Sequence, residues 1–227
     1  MTIVRLEEEL HSNTRRTRIT YRGKVDGQPV AIKCYRKPLF GLIHWIRAIR
    51  RGKKIRSAGG PVPPIIFSGW LPSERCFGYG TAFLEGFRPL RAILMDESSR
   101  SRQLQIIRLL GQTMADVHKR GIEQPDGNLT NFLMGADDTI CMVDEDDIRI
   151  YSQMLPLGVA VSNLANVAAR LPDEEMVATL LTAYLDMTFV GKGSEWDEGA
   201  FWASVKGWRS MLDAKRASRN IQPRQFD

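Results

Sequence analysis

No run of about 18 uninterrupted apolar residues occurs in the 227-residue chain, so no membrane-spanning helix is expected. Cysteine is scarce. Cys34, Cys76 and Cys141 are odd in number and far apart, which excludes a paired zinc-ligand pattern and a secreted disulfide framework and points to a reducing compartment. The opening MTIVRLEEEL carries acids where an export signal needs a basic region and then an apolar one, so a cytoplasmic location is expected. His11, His44 and His118 form no cluster with cysteines or acids at zinc-ligand spacing, and only His118, just ahead of Gly121-Ile122, is placed to support a loop. No internal repeat, low-complexity tract or G-x-G-x-x-G loop is present. Acids are missing altogether between Lys33 and Glu74.

What is there suits a folded globular chain, large enough for one sizeable core or two small lobes. The hydrophobic fraction is 43% and the charged fraction 26%, which excludes a disordered, collagenous or coiled-coil protein. The net charge is +6, and it is unevenly spread. From Lys33 to Arg56 there are nine Lys or Arg residues and no acid, more than the whole excess, so the rest of the chain is slightly acidic. An anionic partner is expected for that stretch. A nucleic-acid reader is not, because no base-reading module surrounds it.

The pattern predicts strands over IVRLEEEL, TRITYRGKV and QPVAIKCY, the last two joined by an Asp26-Gly27 turn. Leu39, Leu42, Ile43, Ile46 and Ile49 recur at helical spacing opposite a basic face, which predicts a helix over 39–58 that GGPVPP ends. Strands at PIIFSGW and FGYGTAFLEG follow. Beyond Gly86 the periods become helical, over 97–120, 155–187 and 195–219, interrupted by NFLMGADDTICMVDED, which reads as two short strands around a turn at Gly135 to Asp138. A boundary near residue 87 fits this change, and the last eight or so residues read as a loose tail.

Four polar residues stand at strand edges or in loops where chemistry can use them. Val30-Ala31-Ile32-Lys33 has the form of the protein-kinase third-strand motif, whose Lys contacts ATP phosphates. In DGNLTN, Asp126 and Asn131 are separated as in D-x-x-x-x-N, where the Asp accepts a hydroxyl proton and the Asn reaches magnesium. Asp144 ends the apolar run Ile140-Cys141-Met142-Val143 and follows Asn131 by 13 residues. A hairpin between the two returns the carboxylate beside the amide, giving hard oxygen donors to one magnesium ion. Each motif alone also fits an ordinary strand or polar turn.

Together with AGGPVPP, TAFLEG, the helix end Val117 to Ile122, and the later NLANV and TAYLDM segments, these motifs make the chain resemble the lipopolysaccharide core kinase family, protein-kinase-like enzymes that include heptose and Kdo kinases. The resemblance implies an α+β, protein-kinase-like two-lobed fold: a small antiparallel β N-lobe over 1–87 and a mainly helical C-lobe over 88–227. It implies Lys33 on ATP phosphates, Asp126 as catalytic base, and Asn131 and Asp144 as ligands of Mg2+. With Thr81 at the position guarding the nucleotide pocket, the Ala82 carbonyl and Leu84 amide would face adenine. Asp146 joins as a second acidic ligand if the segment is extended, since residues two apart then share a face.

The chain also departs from the kinase pattern. The first helix has no Glu to pair with Lys33, and Gln124-Pro125 replaces His-Arg before the base. Gly127 replaces a Leu, Glu145-Asp146 replaces Phe-Gly, and around His11 to Arg16 only Arg15 and Arg16 are present to substitute for a phosphate-cradling loop. Only 18 residues separate Asp144 from Ser162, with no Ala-Pro-Glu, which leaves little room to dock a peptide and points to a sugar hydroxyl as acceptor. Basic residues between 36 and 56, with Phe40, Trp45 and two Ile on an apolar side, suit peripheral contact with an anionic inner-membrane surface. The alternative is a pseudokinase acting as a nucleotide-binding or regulatory module at the membrane.

Overall fold

The computed structural model describes residues 2–188, 196–222 and 225–226, except for the side chains of 38 and 39. The chain is α+β, with six helices among the described residues, and it divides into two compact units. The first comprises 1–57 and 62–85. The second comprises 86–227 together with 58–61, where the Pro61 carbonyl accepts the Met142 amide.

Alternation builds the first unit. β1 (Val4–Ser12), β2 (Arg18–Val25), β3 (Gln28–Tyr35), β4 (Ile65–Leu71) and β5 (Cys76–Ala82) form one antiparallel sheet in the order β1-β2-β3-β5-β4. Val30, Ile32 and Cys34 fall on one face and are fully buried with Val25, Leu71 and Cys76. Side chains alternate along a strand, so Ala31, Lys33 and Tyr35 fall on the other face, where Tyr35 and Tyr79 pack with Ala48 of α1 (Pro38–Ser57).

The sequence pattern places α1 correctly as a helix and Ile49 of its apolar face packs with Tyr35, Ala48 and Tyr79, but the pattern misses the middle of the inward face. The buried side carries Gly41, Ala48, Gly52 and Ile55, with Trp45 stacked on Phe77 and donating through Nε1 to the Gly78 carbonyl at 3.0 Å. Ile43, counted with the apolar face, is 44% exposed, and Phe40 is 64% exposed. The reason is close approach: a Cβ on Gly41 would lie 2.7 Å from the Tyr35 carbonyl oxygen, so small residues set the contact. Leu39, also counted there, lies outside the described side chains.

In the second unit the helical stretch expected over 97–120 is α3 (Arg100–Lys119), and a separate α2 (Leu90–Asp96) precedes it. Ser99 caps α3 by accepting from the Arg102 amide, which restarts the helix after Glu97. Gly121 ends it at φ +72°, and a Cβ there would lie 2.4 Å from the Gln153 carbonyl oxygen. The short β8 (Phe132–Met134) and β9 (Ile140–Met142) pair around the Gly135–Asp138 turn as the sequence predicts, with β6 (Arg88–Pro89) on the outer edge. β7 (Ile122–Glu123) and β10 (Arg149–Ile150) form a two-residue ladder.

α4 (Leu157–Ala168), α5 (Glu174–Thr188) and α6 (Glu198–Ala217) complete the unit. α3 and α5 meet closely at Gly111, where a Cβ would lie 2.5 Å from the Leu180 carbonyl oxygen. The expected helix start at 195 lies outside the described residues, as do 223, 224 and 227 of the expected loose tail. In the described part of that tail 220–222 are exposed, but its end is anchored: Phe226 is 3% exposed, and the Gln225 carbonyl accepts from Arg91. Among the described residues no helix is long and apolar enough to cross a membrane.

Candidate functional site

The loop after β7 is fixed by its own side chains. The Asn128 amide donates to Asp126 Oδ1 at 3.2 Å, and Asn128 Oδ1 accepts from the Thr130 amide at 3.0 Å, which turns the chain into the single 3-10 turn Leu129–Asn131. Leu129 is fully buried and pins the turn. Asn131 then bonds in two directions. Its Nδ2 donates to the Asp126 carbonyl at 3.3 Å, and its own carbonyl accepts from the Val143 amide at 2.9 Å.

Asp126, Asn131 and Asp144 are thus gathered by one loop and one hairpin. With Asn131 Nδ2 committed to the loop, its Oδ1 is the side-chain atom left to act as a ligand. Asp144 stands at φ +59°, a left-handed conformation rare for a residue with a Cβ and costing of order 1 kcal/mol. A turn at Glu145–Asp146 follows. The extended segment on which a shared face for Asp144 and Asp146 depends is therefore not formed.

Beneath the loop lies a chain of buried polar groups. Asn163 Nδ2 donates to the Gln124 carbonyl at 2.6 Å, so its Oδ1 is the acceptor for His118 Nε2 at 2.9 Å. That fixes the neutral tautomer of His118, whose Nδ1 accepts from the Tyr184 hydroxyl at 3.0 Å. Burial pushes His118 down to about 4, only partly offset by its bond to Asn163. One turn along α4, Asn166 Nδ2 donates to the Pro125 carbonyl at 2.7 Å. Gly127 rests on the same helix, where a Cβ would lie 2.9 Å from Asn166 C and Val167 N.

Two side chains take on work that the sequence left unassigned. Gln124, fully buried, donates through Nε2 to the Val143 carbonyl at 3.3 Å, so it links the segment before Asp126 to the segment before Asp144. Arg170 donates to the Asn166 carbonyl and Oδ1 and reaches Asp126 Oδ1 at 3.4 Å. The Asp126 side chain is 50% exposed, and its Oδ1 takes the contacts from Asn128 and Arg170, so Oδ2 is the oxygen outside these two contacts. Asn163, Asn166 and Arg170 recur at one-turn spacing in a mostly apolar stretch, which marks one polar face of the helix but names none of its partners.

In the first unit Lys33 sits on the α1-facing side of β3, opposite Tyr79 of β5, and α1 brings it no carboxylate. Glu74, the first acid after Lys33, is paired with Arg36 at 2.6 Å. At the end of β5 the Ala82 amide donates to the Pro64 carbonyl and the Phe83 amide to the Pro29 carbonyl. No such bond engages the Leu84 amide among the described residues. In the β1–β2 loop Arg16 is held by both carboxylate oxygens of Glu9, at 3.0 and 2.7 Å, whereas Arg15 is exposed.

Among the described residues no group of three or more His, Cys, Asp or Glu gathers as a metal cage. A magnesium ion carried on phosphates takes only one or two carboxylates from protein, so an amide oxygen from Asn131 and a carboxylate from Asp144 fit it as hard donors. The chain matches no protein-family model and no curated protein.

Proposed function

We propose that the chain is an ATP-dependent phosphotransferase of the protein-kinase-like type, resembling the lipopolysaccharide core sugar kinases, and that it moves the γ-phosphoryl group to a sugar hydroxyl. The observation that carries this reading is Asn131 bonded on one side to the Asp126 carbonyl and on the other to the amide preceding Asp144. A general base, an amide ligand and an acid ligand are thereby held by one continuous piece of backbone.

Asp126 Oδ2 accepts the acceptor hydroxyl proton as the oxygen attacks phosphorus. The bond from that phosphorus to the β,γ-bridging oxygen breaks, and ADP leaves with the electron pair. Arg170 and the Asn128 amide hold Asp126 Oδ1 so that the other oxygen meets the hydroxyl. Asn131 and Asp144 would hold Mg2+, which when bound neutralises charge on the phosphates. Lys33 supplies a further positive charge to the nucleotide, and the Ala82 carbonyl and Leu84 amide take the adenine edge. A core-sugar acceptor places the protein on the cytoplasmic side of a bacterial inner membrane.

Turnover of Mg-ATP in the presence of heptose- or Kdo-containing acceptors tests this directly. Asp126→Asn is expected to lower it by about 10²- to 10⁴-fold, the range for a general base. A second reading, a nucleotide-binding module without turnover, draws on the absence of any acid in α1. Thermal stabilisation by Mg-ATP without phosphoryl transfer to any acceptor would favour it.

A further inference from the structure

We propose that the outward face of α1 docks on an anionic lipid bilayer. Phe40, Ile43, Arg47, Arg50 and Lys54 follow one another at alternating three- and four-residue steps, so they form a single stripe, and all five are exposed. The opposite side of the helix, through Gly41, Ala48, Gly52 and Ile55, is the one buried on the sheet, so folding does not account for the stripe. Two large apolar side chains held in water at one end, 64% and 44% exposed, are followed by cations along the rest.

The cations have no internal claim on them. Among the described residues no carboxylate pairs with Arg47, Arg50, Lys53 or Lys54, whereas Arg56 turns inward to the Gly52 carbonyl and the Tyr79 hydroxyl, and Arg36 is taken by Glu74. No acid lies between Lys33 and Glu74 to weaken the field. A nucleic-acid duplex, met through its phosphates, would engage only the cations and leave Phe40 and Ile43 in water. A membrane interface buries the two apolar groups in the acyl boundary while phosphate headgroups receive the guanidinium and ammonium groups, which matches the chemistry of the whole stripe.

The test uses the full chain and vesicles of phosphatidylcholine with or without phosphatidylglycerol, read by flotation, with a labelled DNA duplex as the competing polyanion. Binding is expected to vesicles containing phosphatidylglycerol and not to phosphatidylcholine alone. It should be lost as added salt shortens the screening length to about 3 Å. Reversal of Arg47, Arg50 and Lys54 to Glu should weaken partitioning on the order of 100-fold, and Phe40→Ser with Ile43→Ser should weaken it without altering any binding to DNA. All five positions are exposed, so unchanged thermal unfolding of both variants is expected and checks that they are folded. Wild-type protein that stays with the unfloated fraction, either variant floating like the wild type, or DNA outcompeting the vesicles overturns the proposal. None of these readouts depends on phosphoryl transfer.

Discussion

Arg170 is a nearly buried guanidinium with its side chain 8% exposed, and it couples the helix end to the proposed base. Arg170→Met removes the donors to the Asn166 carbonyl and Oδ1, so a loss of about 1–3 kcal/mol of stability is expected in denaturant unfolding. It also frees Asp126 Oδ1, and misplacement of a catalytic group can cost up to roughly 100-fold in turnover. Arg170→Lys keeps a charge but not the fork of donors, so it should recover stability better than rate. Equal turnover in all three proteins would show that Arg170 is only structural. The loop and hairpin that carry Asp126, Asn131 and Asp144 were legible in the sequence because they are set by local spacing. Arg170, Gln124 and Asn163 were not, because their contacts cross 44, 19 and 39 residues of chain, and no window of sequence contains both partners.

Helix α3 carries His118 in its last turn, and the burial of that imidazole makes the support of the loop sensitive to pH. Its folded value near 4 lies below the unfolded value near 6.5, so the unfolded chain takes up the proton first. The stability contributed by neutral His118 is full above about pH 6.5 and falls as pH drops toward 4, by roughly 2 kcal/mol between about pH 7.5 and about pH 5. Urea midpoints at the two pH values should show that loss in the wild type and a smaller one in His118→Gln; parallel losses would contradict it. Where α3 crosses α5, Gly111→Ala would press a methyl against the Leu180 carbonyl, and a cost of about 1–3 kcal/mol is expected from the same unfolding measurement. Strands and helices were readable from their periods, but the inward face of α1 only in part. Hydropathy counts Leu42, Ile43 and Ile46 and is blind to glycine, whereas the contact with the sheet is made where Gly41 and Gly52 let the backbone come close.

Across the whole molecule the sequence separates two chemistries: a basic stretch on α1 and, in the second unit, a loop and hairpin that carry an acid, an amide and a second acid. The change from strand to helical periods was visible near residue 87, but the grouping of Ala58–Pro61 with the second unit was not, since the Met142 amide that bonds the Pro61 carbonyl lies far along the chain. Under the proposed function, saturating Mg-ATP at about 100 times its dissociation constant should stabilise the wild type by about 2.7 kcal/mol. Lys33→Met and Asp144→Asn should each reduce that gain; an undiminished shift in either variant would remove that residue from the nucleotide site. The most direct measurement is transfer of labelled γ-phosphate from Mg-ATP to a purified core oligosaccharide by the wild type and by Asp126→Asn. The account predicts phosphorylated sugar from the wild type and at least about 100 times less from the variant; equal product from the two proteins would contradict it.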